Sequence, residues 1–530
     1  MRARRIEARD LALALACVAL SWWVYRAVPG GFFSPDDLIY LERARGLVPE
    51  PPGLWRFLSG IAWFHLLVPV FGAHPQPYLL ANLALHGLCI VGVYAWVRSL
   101  GGGALAATVA AALFGTSRLH LTVLAQAVTV AEPLSLLLAI AALFMARMRS
   151  RFAMPLVLLA FTAALLCKET VLLLPLLLLV PDASPGPLRS RALRCAVLLA
   201  PGVLLALYLS LPSVHAAIFV NDVYTRAYGM NVFHNLMTLT HWALDFQTPT
   251  PDLYSVLSTT AWRSALWPML GLALVAVLAW RATRLPSLGL AWWLLTLAPV
   301  LPLVHQRYLH YLYVPLAGLT IALGASLEWL SGLRAGAVGR RGAPARSSTR
   351  ATIGWAIAAG VIAAQVAASD ALLEERAAGR IERFGLPSDP FLRKAETARR
   401  AIVAVGKATG GRRMRAVFVI PEAGWTRGLA GVLHSILGEG LALRAVYPSL
   451  DSVAFVPRWT RAYGDFEVFY GRVDGNVVPL GRGPAAHVKL AALLIGDGCI
   501  EDARDGIAAA VADYPEDPNL RALRARLSER

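Results

Sequence analysis

Two adjacent acids, Asp36 and Asp37, follow the first membrane-length apolar run, in Gly31-Phe32-Phe33-Ser34-Pro35-Asp36-Asp37-Leu38. Carboxylates at the mouth of a hydrophobic span are expensive to place, which marks them as candidates for chemistry at membrane level. A base held there would suit a substrate carried on a lipid. The same residues also have a purely local reading. Ser34 can serve as N-cap, Pro35 as first helical residue and Asp37 as partner in a capping box, so that the acids stabilise a helix start. The two readings are compatible, because a cap through Asp37 would hold Asp36 in a fixed direction.

Lys168-Glu169 is the second candidate. Lys168 is the only lysine in residues 1–370 and lies within a run of apolar residues from 152 to 180. An unpaired charge there costs a few kcal/mol, so it reads either as half of a local ion pair or as a cation for a lipid phosphate. The third is His305-Gln306-Arg307-Tyr308, followed by Leu309-His310-Tyr311-Leu312-Tyr313-Val314-Pro315. An arginine fork suits bidentate phosphate contact, and aromatic residues beside it suit anchoring at a membrane interface. Histidines and acids scattered through 213–261 read as solvated. His86, on an apolar face, reads as an interior histidine before it reads as a ligand. The sequence contains no P-loop, dinucleotide fingerprint, HExxH or CxxC, so nothing supports ATP-driven transport or zinc proteolysis.

The elements that must position these groups are membrane helices. Of 530 residues, 57% are hydrophobic, too many for a soluble globular chain. Apolar runs near 11–28, 78–97, 103–115, 121–146, 152–180, 195–212, 265–280, 288–303, 309–330 and 352–369 mostly approach the roughly 20 residues that cross a bilayer. The run 57–72, broken by His65 and Pro69, reads as a juxtamembrane or re-entrant segment. The net charge of +17 does not point to nucleic acid, because arginines cluster in alternate gaps between runs. That is the positive-inside pattern, and it predicts a cytoplasmic N-terminus. Basic clusters flank 152–180 on both sides, which predicts a tight pair reversing near Lys168-Glu169. Counting it as two gives about eleven spans by length and an extracytoplasmic tail. The five cysteines have neither metal-ligand nor disulfide-framework spacing. Trp22, Trp23 and Tyr25 follow the first apolar core without a small-residue cleavage site, as in a retained signal anchor. Lysine is rare among the 50 basic residues, and this arginine bias, with abundant Ala, points to a GC-rich bacterial genome.

Three regions result: a membrane domain over 1–370, an extracytoplasmic α/β module over 371–484 and a tetratricopeptide-like helical hairpin over 485–530. Residues 331–350 read as a linker and 371–405 as charged helix. Within 411–482, strands are expected at Ala416–Ile420, Leu443–Tyr447, Val453–Val456, Phe466–Tyr470 and Asn476–Leu480, with a hairpin turn at Val473-Asp474-Gly475. Beyond Pro484, the spacing of Gly498, Ala503, Ile507, Ala510 and Pro515 fits one tetratricopeptide-like repeat or an ordinary helical hairpin. A single repeat cannot bury its own face, so it must cap the module before it or pair with a partner.

Taken in order, four pieces resemble the GT-C-fold, polyprenyl-phosphate-sugar-dependent glycosyltransferases, particularly the O-mannosyltransferase-like branch with C-terminal tetratricopeptide repeats. They are Phe33-Ser34-Pro35-Asp36-Asp37; Pro77-Tyr78-Leu79-Leu80-Ala81-Asn82-Leu83-Ala84-Leu85-His86; Cys167-Lys168-Glu169-Thr170 with Leu174-Pro175; and Arg307-Tyr308 with Leu312-Tyr313-Val314-Pro315. The chain departs from that branch at Ser117-Arg118-Leu119-His120 and Val130-Ala131-Glu132-Pro133, where Glu132 partly substitutes for a usual acid. The resemblance implies a polytopic membrane hexosyltransferase of the bacterial plasma membrane. It would move a mannose-like sugar from a polyprenyl-phosphate donor to a hydroxyl on a protein, glycan or lipid. Asp36, with Asp37 beside it, would be the general base, Lys168 and Arg307 would hold the donor phosphate, and Glu169, His86, Glu132, His305 and Tyr308 would support them. A divalent metal (Mg or Mn) near the acidic pair is compatible with this chemistry but not demanded by it. A transporter or flippase for a lipid-linked saccharide, or a membrane scaffold with a recruiting tail, would use the same features without catalysis.

Overall fold

The computed structural model describes residues 7–51, 53–148, 152–184, 186–218, 224–245, 284–331, 345–381, 385–421, 433–460, 463–472 and 476–528. Contacts divide the chain into two compact units. The first comprises Met1–Gly30, Pro51–Trp63 and Gln76–Arg376; the second comprises Gly31–Glu50, Phe64–Pro75 and Ala377–Arg530. The segment with Asp36 and Asp37 therefore groups with the tail rather than with the membrane helices that flank it in sequence.

The first unit is a helical membrane domain. Among the described residues, five helical stretches are long and apolar enough to cross a bilayer: Pro75–Ser99, Val128–Met145, Leu188–Ser210, Leu309–Leu330 and Thr349–Ala378. A sixth arises if Ala104–Gly115 and Arg118–Leu124, bent by 44°, form one broken span. This is fewer than the apolar runs suggested, for local reasons. The run 152–180 yields the helix Ala153–Cys167, an extended Lys168, and only 3-10 turns at Glu169–Val171 and Leu174–Leu179. The helix Ala8–Val24 has 17 residues, and Arg284–Leu297 stops short of 303. The run 265–280 lies outside the described residues. The segment 57–72 becomes a π-helical turn, Phe57–Ala62, leading into Trp63–Phe71.

Small residues let these helices approach. A Cβ at Gly324 would sit 2.4 Å from the Ala106 carbonyl oxygen, and one at Gly289 would sit 2.6 Å from the Ala322 nitrogen. Helix Tyr313–Leu330 is thereby clamped between Ala104–Gly115 and Arg284–Leu297, as expected where van der Waals fit drives helix association in lipid. Its buried N-terminal turn fixes the segment that carries Tyr311 and Tyr313.

The second unit contains a four-stranded sheet in the order Leu450–Val456, Met414–Val419, Glu467–Gly471, Val477–Gly481. The first three strands run parallel and the last antiparallel. Four of the expected strands are thus present. The fifth, Leu443–Tyr447, is instead part of the helix Leu441–Val446, which connects two parallel strands. Parallel strands require such a crossover, and a short apolar run carries too little periodicity to distinguish helix from strand. The turn at 473–475 lies outside the described residues. The helix Ala345–Ala378 runs through the expected boundary at 370, and a two-stranded ribbon, Arg380–Ile381 with Leu386–Pro387, precedes Pro390–Thr409.

Pleating sorts the sheet's side chains between its faces. Val417, Val419, Val468, Tyr470 and Leu480 share one core with Leu490, Leu494, Ala503, Ile507 and Leu520. The C-terminal helices Pro484–Gly496, Ile500–Asp513 and Pro518–Ser528 therefore cap the sheet, the first of the two alternatives for an isolated repeat. Phe418, of opposite pleat, stacks between Phe455 and Phe469.

Candidate functional site

In the membrane unit the candidate site grows out of the helix break at Lys168. The residue has extended backbone (φ −158°, ψ 136°), so the last turn of Ala153–Cys167 leaves carbonyls to be satisfied. Hydroxyls from two other segments supply hydrogen bonds. Ser59 Oγ donates to the Cys167 carbonyl at 2.9 Å, and Ser135 Oγ donates to the Lys168 carbonyl at 3.5 Å. Non-helical backbone in apolar surroundings persists only with such partners.

The Lys168 side chain is buried. Its Nζ lies 3.0 Å from Glu132 Oε1, both side chains being under 5% exposed, and 5.6 Å from the centre of the Tyr311 ring. Glu132 sits in the first turn of Ala131–Met145, where the helix dipole favours a carboxylate. Its Oε2 has no hydrogen-bond partner among the described residues. Glu169, the expected local partner of Lys168, instead takes a bidentate pair from Arg56, with Nη2 at 2.7 Å and Nε at 3.3 Å. Arg56 holds a left-handed backbone (φ +51°, ψ 33°), unusual for a residue with a side chain, and its guanidinium lies 4.4 Å from the centre of the Trp55 ring.

Beside these pairs is a cavity of about 490 Å³. Its walls are mainly apolar, with Leu165, Leu172, Leu205 and Val300 among them, while Glu169, Tyr224, Arg226 and Tyr311 give it polar positions. Arg226 is brought there by pairing between the segments 225–227 and 302–304: Ala227 N donates to the Pro302 carbonyl at 2.9 Å, and Val304 N donates to the Thr225 carbonyl at 3.0 Å. Tyr311 in turn donates to Gln306 Oε1 at 2.7 Å. Chemically, the arrangement offers an apolar slot beside fixed cations and phenols, suited to an amphiphile with an anionic head.

The remaining expected residues are distributed as follows. Arg307 is partly buried, while His305 and Tyr308 are exposed; Tyr308 stacks on His310 with centroids 5.3 Å apart. None of these three lines the cavity. His86 is fully buried in a cluster with Phe114, His120 and Tyr313. Its Nε2 donates to the Gly115 carbonyl at 3.1 Å, which leaves Nδ1 to accept from the Tyr313 hydroxyl at 2.8 Å. It is an interior histidine with both nitrogens satisfied.

Asp36 and Asp37 belong to the second unit and differ from one another. Asp37 is fully buried and closes the helix cap of Pro35–Ala44: its Oδ2 accepts from Ser34 N at 2.7 Å, while Ser34 Oγ accepts from Asp37 N at 3.3 Å. Asp36 is open to water. Crowding around its carboxyl nonetheless raises its proton affinity, and the Lys394 ammonium opposes that effect. A divalent metal is not favoured here. One of the two carboxylates is engaged by the cap, and no group of three His, Cys, Asp or Glu able to hold an ion occurs among the described residues.

Sequence reasoning missed Arg56 and Arg226. Both are arginines in gaps assigned to the outer side, so each breaks the positive-inside trend as Arg307 does. That was the available signal. No known protein-family model matches this chain, and no curated protein matches it in sequence.

Proposed function

We propose that the protein is a multi-pass membrane glycosyltransferase that moves a hexose, mannose-like, from a polyprenyl-phosphate donor to an extracytoplasmic hydroxyl. On this reading the chain has the GT-C architecture, lies in a bacterial plasma membrane, and keeps its N-terminus cytoplasmic and its C-terminal domain outside. The observation that supports it is the cavity of about 490 Å³, whose apolar walls suit an isoprenoid and whose Arg226, Tyr224 and Tyr311 suit a phosphate.

The general base, which takes the acceptor hydroxyl proton, is assigned to Asp36 by the resemblance. The leaving phosphate is already stable as an anion, so it needs cations rather than a general acid, and Arg226 is assigned to it. Lys168, held by Glu132, acts through its field and through Tyr311 rather than by direct contact. A single displacement of this kind inverts the anomeric configuration.

The test is transfer of radiolabelled sugar from polyprenyl-phosphate donors to candidate acceptors by the full-length protein in vesicles. Transfer with inversion, lost in Asp36→Asn with folding intact, is the expected result. Retained configuration, or an active Asp36→Asn protein, would overturn the assignment. Movement of intact donor across the bilayer without transfer would establish the flippase alternative instead.

A further inference from the structure

We infer that the acceptor is an anionic saccharide, bound along the helix that carries Asp36, with its phosphate or carboxylate on Arg43 and Arg45. The inference rests on the reading of Asp36 as the base and adds the class of acceptor and the residues that hold it.

The helix Pro35–Ala44 packs on Leu441–Val446 and Pro390–Thr409 of the same unit. Leu38 and Leu41 are buried, and Glu42 is only 3% exposed, so these residues mark its inner side. Asp36, Tyr40 and Arg43 stand at positions i, i+4 and i+7, which a helix brings to one face. Asp36 and Arg43 are therefore two turns apart, about 10 Å along the axis. Tyr40 fills the interval. Its ring centre lies 5.2 Å from that of Phe64 and 5.1 Å from the Arg43 guanidinium carbon. A side chain with an apolar body and a phenol tip suits a sugar ring lying between an attacking hydroxyl and a charged substituent.

Beyond Arg43 the chain lines an open recess of about 750 Å³, formed by residues 43–50 together with His65. All of these belong to the second unit. Arg43 Nε is shielded from water and has no hydrogen-bond partner among the described residues. Arg45 reaches the turn that follows the helix Trp63–Phe71, where a Cβ at Gly72 would sit 3.8 Å from its Nη2. The negative end of that helix dipole favours a cation there. Glu50 lines the same recess. Both its carboxylate oxygens are shielded from water without a hydrogen bond among the described residues, and Oε1 lies 3.6 Å from His65 Nε2. Two guanidinium forks suit a phosphate or carboxylate, and a carboxylate short of donors suits saccharide hydroxyls. A neutral Ser or Thr acceptor would meet Asp36 and use none of these groups.

The experiment uses the full-length protein in phosphatidylcholine nanodiscs, as wild type, Arg43→Gln/Arg45→Gln, Arg45→Gln and Asp36→Asn. Binding without turnover is read by saturation-transfer NMR, with glucose 6-phosphate and the neutral methyl glucoside as probes. Wild type should bind the phosphorylated probe, and Arg43→Gln/Arg45→Gln should weaken this about tenfold, the scale of one lost charge-assisted contact. Methyl glucoside should not distinguish the two proteins, and added salt should weaken the phosphorylated probe alone. Absent binding to wild type, or equal binding to both proteins, overturns the inference. Hydrogen exchange over residues 35–44 checks that the double variant keeps its helix. If that protection is lost, Arg45→Gln decides, since it lies past the last helical residue: weaker binding supports the inference and equal binding overturns it. Displacement of the probe by phosphatidylglycerol added to the nanodisc would assign the recess to bilayer phospholipid and overturn the acceptor role. In transfer from a labelled polyprenyl-phosphate donor, glucose 6-phosphate should have a lower KM than methyl glucoside, an advantage lost in Arg43→Gln/Arg45→Gln. Asp36→Asn should abolish transfer and bind the probe no more weakly. A transferring Asp36→Asn protein defeats the base reading, while the binding arm still decides whether the recess takes an anionic sugar.

Discussion

The ion pairs of the membrane unit and those of the C-terminal domain use similar residues under opposite conditions. Lys168–Glu132 is almost completely shielded from water, and among the described residues neither carboxylate oxygen has a hydrogen-bond partner of normal geometry beyond the ion pair itself. Arg399–Glu396 and Arg482–Glu467, by contrast, have guanidinium groups about half exposed. Exposed pairs contribute about 0–1 kcal/mol and can be lost with little effect. A buried pair is seldom better than well-packed hydrophobic residues of the same volume, yet breaking it by removing one partner is severe. The difference teaches where charge is ornamental and where it must have a use. In a core made mainly of aliphatic and aromatic side chains, Lys168 and Glu132 are difficult to explain by stability alone.

Four experiments can break or sharpen that contrast. Lys168→Met strands Glu132 and should cost about 3–5 kcal/mol, seen as loss of monodisperse protein after detergent extraction. The double variant Lys168→Met/Glu132→Leu should recover most of this loss but no transfer. A double variant as unstable as the single one would contradict the account.

The next largest effect is a pH dependence in the second unit. Burial pushes the Glu42 carboxyl up to about 7. The folded state therefore binds the extra proton between the unfolded carboxylate range and about pH 7, and stability falls as pH rises through that window. The loss is about 3 kcal/mol at most. Hydrogen exchange of residues 35–44 should quicken across that interval in wild type, and Glu42→Gln should remove the trend.

Arg56→Ala should release Glu169 and cost about 2 kcal/mol, less than the Lys168 variant because both side chains reach water. Comparison of thermal midpoints in one detergent would check the order. Glu396→Ala should change stability by less than about 0.5 kcal/mol. A larger loss would mean that the exposed cluster is more than a solvated face.

What the sequence made legible was local. The Ser34–Asp37 cap could be read because its donors and acceptors lie three residues apart. Lys168 stood out because no other lysine occurs nearby in sequence or in the membrane region. Strands at 414–419 and 467–471 announced themselves through β-branched and aromatic residues. What escaped was long-range or ambiguous. Nothing in a linear reading pairs Lys168 with Glu132 or Glu169 with Arg56, and Arg226 reaches its cavity only through the pairing of 225–227 with 302–304. Leu443–Tyr447 reads as a strand because one and a half helical turns show no clear period. The grouping of residues 31–50 with the tail is a matter of tertiary packing that composition does not encode.

That grouping has a consequence for biosynthesis. Residues 35–44 leave the ribosome well before the helix Leu441–Val446 on which they rest, and before the helices Pro484–Gly496, Ile500–Asp513 and Pro518–Ser528 that complete the sheet's core. The carboxylate-bearing segment must therefore wait until those later residues have been made. A chain cut short before residue 441 would leave the helix Pro35–Ala44 without the helix it packs on, so its seating reports that those later residues have been made.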